Sequence, residues 1–238
     1  MSVKKLACLC IALCIPGAAH AQYQMISPML YEGPRISLQN HAARNQSSNR
    51  STTTTPARPT VDPTMYSYRP DLTRRRANLA QFVKRSRSAG PAGADNLAKI
   101  FASQDVIENM RAPLASVGLR IDNVADAYAA WWINAWQASQ GVDVDITRQM
   151  ASAVRNQAAG AFAQSGSLRG ANDAAKQEMA EALLAQATLI GAAMDQAKGD
   201  PKRSRQIGAA VSQGARGMHV DLSSMRLTAD GFVPGGAR

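Results

Sequence analysis

All three tryptophans of this 238-residue chain lie in one stretch, Asp122 to Trp136, together with Tyr128. A large aromatic side chain buries roughly 150–250 Å², so four of them at this density mark where the core must form. At about 100° per residue, Val124, Tyr128, Trp131, Trp132, Ala135 and Trp136 share one helical face. Asp126, Ala130, Asn134 and Gln137 fall opposite. The stretch therefore predicts an amphipathic helix, with Asp122 as its cap and Gly141 as its stop.

The flanking sequence extends the helical pattern in both directions. Upstream, Asp71 caps a helix reaching about Ser88, with Leu72, Leu79, Phe82 and Val83 inward. Ser88 to Gly93 breaks the chain, and Asp95 to Ala102 forms a short helix with Leu97, Ile100 and Phe101 inward. Ile107, Met110, Leu114 and Val117 then follow at steps of three, four and three, which is helical spacing. Pro113 removes a backbone donor and predicts a kink or two short helices. Gly118 suits a left-handed stop, followed by apolar Leu119.

Downstream, Asp143 or Asp145 caps a helix with the stripe Ile146, Met150, Val154, Ala158 and Phe162, ended by Gly166. Asn172 or Asp173 opens a long alanine-rich helix to about Lys198, striped by Met179, Leu183, Ala187, Ile190 and Met194. Alanine is the strongest helix former. Asp200-Pro201 starts a last helix, with Ile207, Val211 and Ala215 inward. A brief turn or helix at Leu222 to Met225 precedes an extended piece, Leu227 to Phe232, that turns at Asp230-Gly231. No period-2 pattern is strong enough to predict a sheet. The expected fold is all-α, a single bundle of about six or seven helices.

The amino-terminal third is different material. Lys4 and Lys5 precede an apolar run from Leu6 to Ile15, and Ala19-His-Ala21 supplies a small–x–small cleavage pattern, so residues 1–21 read as a signal peptide cut after Ala21. Residues 22–38 form a mixed segment able to dock on the domain or on a partner. Residues 39–65, rich in Asn, Ser, Thr and Pro, cannot offset their chain entropy by burial and predict a disordered linker. The helical domain takes 66–238. No stretch of the mature chain approaches the roughly 20 apolar residues of a membrane span. The expected destination is the periplasm or the cell exterior.

Chemistry is narrowed by the same cut. Cys8, Cys10 and Cys14 all leave with the signal, removing disulfides, thiolate catalysis and cysteine-ligated metal. Only His41 and His219 remain, too far apart in sequence to suggest zinc, so neither metal nor cofactor is expected. The four glutamates leave two candidate carboxylate pairs for glycan cleavage, Glu108 with Asp126 and Glu178 with Glu181. The second pair lies three apart on one helix, where a solvated surface pair is the usual explanation. The chain carries a net charge of +10, of which Lys4 and Lys5 contribute two. Arg74, Arg75, Arg76, Lys84, Arg85 and Arg87 line the first helix and suit an anionic surface, or simply water. Trp131 and Trp136, at the edges of the aromatic arc, are candidates for stacking on a sugar or a partner; the competing assignment is core. Nucleic acid is not expected, because Tyr128 to Trp136 contains no Lys or Arg.

Leu79-Ala-Gln-Phe-Val83, Phe101-Ala-Ser-Gln-Asp-Val-Ile107, Asn123-Val-Ala-Asp-Ala-Tyr-Ala-Ala-Trp-Trp132 and Leu227-Thr-Ala-Asp-Gly-Phe232 resemble a family of proteobacterial exported proteins catalogued only as a domain of unknown function. The likeness runs from about Tyr66 to Phe232. It implies a secretory signal, a variable linker and a helical domain, and it implies no activity. The leading expectation is an exported, non-enzymatic interaction or structural module whose partner is an unidentified protein or envelope component. The alternatives are a glycan hydrolase using Glu108 and Asp126, and a binder of anionic surfaces.

Overall fold

A computed structural model of the chain describes residues 63–88 and 90–235. The expected signal peptide, the 22–38 segment and nearly all of the linker lie outside the described residues. The fold is an all-α bundle. After a 3-10 turn at Pro63–Tyr66, its helices are α1 (Leu72–Ser86), α2 (Pro91–Ser103), α3 (Val106–Asn109), α4 (Arg111–Ser116), α5 (Val124–Gln140), α6 (Arg148–Ser165), α7 (Asp173–Gln196) and α8 (Pro201–Gly217). A 3-10 turn, Leu222–Ser224, leads into a hairpin of β1 (Met225–Thr228) and β2 (Gly231–Pro234).

The aromatic helix α5 is the axis. It packs on α7, α8 and α6, while α1 covers α7 and the hairpin covers α6. The sequence places one face of α5 toward solvent, and this is corrected: Asp126, Ala130 and Asn134 are as buried as the tryptophans. Alanines on that side present so little bulk that neighbouring helices close over it, so the helix is enclosed all round from Val124 to Trp136. Close approach is clearest at Gly208 of α8, where a Cβ would stand 2.6 Å from the Ala138 carbonyl oxygen.

Helix ends follow local chemistry, with several shifts of a few residues. Asn123, not Asp122, caps α5, its Oδ1 accepting from the amides of Ala125 and Asp126. Thr147, not Asp143 or Asp145, caps α6. Asp71, Asn172 and Asp200 cap α1, α7 and α8 as expected. Gly141 and Gly166 stop α5 and α6 in the left-handed region. Pro91 starts α2 inside the segment read as a break, because proline is at home in a helix's first turn. The division between α3 and α4 falls at Met110, and Pro113 sits within α4. Gly118 is left-handed, and the Leu119 amide closes back on the Leu114 carbonyl.

Two further expectations are corrected. Leu72 is 61% exposed; it lies on the inward stripe of α1 but in its first turn. A two-stranded antiparallel sheet exists where none was expected, pairing Met225 with Pro234, Arg226 with Val233, Leu227 with Phe232 and Thr228 with Gly231. Four-residue strands are too short for alternation to stand out in sequence. Phe232 holds the hairpin on the bundle by stacking on Trp132 at 4.4 Å, and Trp136 Nε1 donates to the Met225 carbonyl oxygen.

Candidate functional site

The aromatic candidates come first. Trp131 is 2% and Trp136 8% exposed. Tyr128 meets Trp131, Trp132 and Phe162 edge-on, and Trp136 meets Phe232 the same way. The candidacy of Trp131 and Trp136 for stacking on a sugar is therefore corrected: both faces are occupied by packing. The Tyr128 hydroxyl in this cluster is shielded from solvent and has no hydrogen-bond partner.

The basic helix is divided by the fold. Arg74, Arg76, Lys84, Arg85 and Arg87 are exposed on α1, Arg85 pairing with Glu178 and Arg87 with Asp95. Arg75, expected among them, is 3% exposed and belongs to the interior. It lies four residues before Leu79 and seven before Phe82, on the apolar stripe itself, so a signal for its burial was present in the spacing.

Arg75 gathers the carboxylates. Its Nε donates to Glu181 Oε1 at 2.9 Å and its Nη1 to Asp105 Oδ2 at 2.7 Å, with Glu108 Oε2 at 3.5 Å. Glu181 is fully buried, its other oxygen accepting from Asn78 Nδ2. Gln177 Nε2 bridges Glu181 Oε1 and the Asp71 carbonyl, and its Oε1 accepts from the Asp71 amide. The reading of Glu178 and Glu181 as a solvated pair is thus corrected: Glu178 faces Arg85 at the surface, whereas Glu181 faces inward to Arg75. One guanidinium ties α1 to α3 and α7.

The other carboxylate pair sits in two unlike environments. Glu108 is exposed and held by Arg111; the hydrogen bond and charge of that arginine, aided by Arg75, hold its carboxyl below the usual range. That favours the ionised form and suits no general acid. Asp126 lies in the first turn of α5 at 2% exposure, and burial raises it from its ordinary 3.8 to about 6. Its Oδ2 accepts from the Arg120 amide, while Oδ1 has no hydrogen-bond donor and Arg155 Nε stands 3.9 Å away. Among the described residues no group of His, Asp or Glu side chains is gathered as a metal ion would need, and His219 stands exposed in the left-handed region after α8.

Sequence reasoning missed a cleft of about 550 Å³ between the carboxyl-terminal halves of α5 and α7 and the start of α8. Ala138, Ile190 and Met194 line its apolar part; Asn134, Asp143, Asp195 and Arg205 are among its polar groups. These residues are scattered over three helices and a loop, so no local pattern announces them.

No helix of the described residues is long and apolar enough to cross a membrane. A protein-family model, described as a family of unknown function (DUF6683), matches residues 4–234. No curated protein and no solved structure is significantly similar.

Proposed function

Since the chain belongs to DUF6683, a family of unknown function that brings no activity to transfer, we propose from its own residues an exported, non-enzymatic helical module that works by engaging a component of the bacterial envelope. Export rests on the amino-terminal sequence, with its Lys4-Lys5 start and the Ala19-His-Ala21 pattern. The observation that carries the non-enzymatic part is the arrangement around Arg75. Glu108 and Glu181, two of the carboxylates that hydrolysis would require, are ligands of one arginine that joins three helices. Carboxylates tied up in this way support a scaffold role.

The test uses the full-length chain in its native host. Mass analysis of the protein recovered from the envelope is expected to find a chain beginning at Gln22. Proximity labelling from that chain is expected to enrich a defined envelope component. A chain retained whole in the cytoplasm, or labelling no different from an exported bystander, would overturn the proposal.

A second reading, binding to an anionic surface, is favoured by the exposure of Arg74, Arg76 and Lys84 on α1. It predicts vesicle binding that weakens with salt and with charge reversal at those three positions. Arg75 contributes nothing to it.

A further inference from the structure

We propose that the cleft between α5, α7 and α8 binds a small organic cation, an amine or guanidinium carried on an apolar chain. Its charged lining residues are Asp143, Asp195 and Asp200 against Lys198 and Arg205, a net of −1 in a chain of net +10. The carboxyl-terminal ends of α5 and α7 both border it, adding the negative ends of two helix dipoles, one of them offset by the start of α8. The formal charge of the lining is thus opposite in sign to that of the whole chain, with Asp195 paired to Lys198 and Asp200 capping α8.

A second, independent feature points to a bound donor. Asn134 lines the cleft and is more than nine-tenths buried, at 8% exposure. Its Nδ2 donates back to the Ala130 carbonyl, 2.8 Å away, which turns Oδ1 away from its own backbone. That oxygen lies beside Gly191 of α7, 3.7 Å from where a Cβ would stand, and the missing side chain leaves it uncovered. Among the hydrogen bonds of the described residues none reaches it. It faces the cleft with no protein donor, so a donor group on a ligand can complete it. An ammonium or guanidinium offers only donors, while Ile190, Met194 and Ala138 accommodate an apolar chain.

The experiment is calorimetric titration of the full mature chain at low salt with 1,5-diaminopentane, beside glutarate and 1,5-pentanediol as matched controls. Saturable one-to-one binding of the diamine alone is expected. Arg205→Gln removes a like charge at the surface and is expected to tighten binding about three- to fivefold; Asp195→Asn is expected to weaken it by a similar factor. Gly191→Ala, which covers the Asn134 oxygen, is expected to weaken the diamine without changing the helical circular dichroism. Preference for glutarate, no saturable binding of the diamine, or binding indifferent to the Arg205 and Asp195 changes would each overturn the proposal.

Discussion

Gln157 pairs with the backbone of Phe232 as a neighbouring strand would. Its Nε2 donates to the Phe232 carbonyl at 2.7 Å and its Oε1 accepts from the Phe232 amide at 2.9 Å. One side chain of α6 thus closes the outer edge of the hairpin, and the same residue's ring lies on Trp132. Glycine suits position 231 because its φ is +94°, and a Cβ there would also push on the end of the Gln157 side chain, 2.5 Å away.

Gln157→Leu is expected to cost about 1–3 kcal/mol, because it leaves both Phe232 groups unpaired at a partly buried position. Denaturant unfolding reads the loss. Tryptophan fluorescence should shift as Phe232 loosens over Trp132, and an unchanged midpoint would show that the hairpin is held by stacking alone.

Removing Arg75 strands a buried carboxylate. Arg75→Met leaves the fully buried Glu181 without its charge partner and is expected to destabilise by about 3–5 kcal/mol. The double replacement Arg75→Met with Glu181→Leu removes both charges and should recover most of that loss. Thermal melts of the single and double variants decide it; equal losses in both would mean that packing, not the stranded charge, is the cause.

Asp126 sets a pH dependence of definite sign. The folded chain holds its proton to about pH 6, whereas the ordinary value is 3.8. Between those limits the folded state binds more protons, so this residue's contribution is full below about pH 4 and is lost as pH rises through 6. The span amounts to about 3 kcal/mol. Asp126→Asn, neutral at every pH, should be more stable than the parent at pH 7.5 and no more stable at pH 4. Melting curves at the two pH values check this, and an Asn variant less stable at pH 7.5 would show that Arg155 outweighs desolvation.

The Tyr128 hydroxyl is buried without a partner, and burial also raises its pKa. Tyr128→Phe removes the unpaired group and keeps the edge-on contacts with Trp131, Trp132 and Phe162. Stability is expected to rise by about 1 kcal/mol. A fall would reveal a hydrogen bond that this hydroxyl makes in solution.

Gly208→Val tests the close approach of α8 to α5. Its side chain would meet the Ala138 carbonyl oxygen, which backbone geometry holds in place. A loss of about 1–3 kcal/mol in unfolding experiments is expected, and a neutral outcome would mean that α8 shifts freely.

What the residues determine alone is whatever acts over a turn or two of helix. Helix stripes, the Asp71, Asn172 and Asp200 caps, and the left-handed stops at Gly118, Gly141 and Gly166 all arise between near neighbours, so an all-α bundle around the tryptophans was legible from the order of residues. Tertiary packing decided everything that depends on a distant surface. It buried Arg75 because Glu181, 106 residues away, supplies a carboxylate in the interior. It enclosed the alanine side of α5, folded the Met225–Pro234 hairpin onto Gln157 and Trp132, and assembled the cleft beside Asn134 from three helices. Those are long-range pairings, whose energies exist only once the chain has closed on itself.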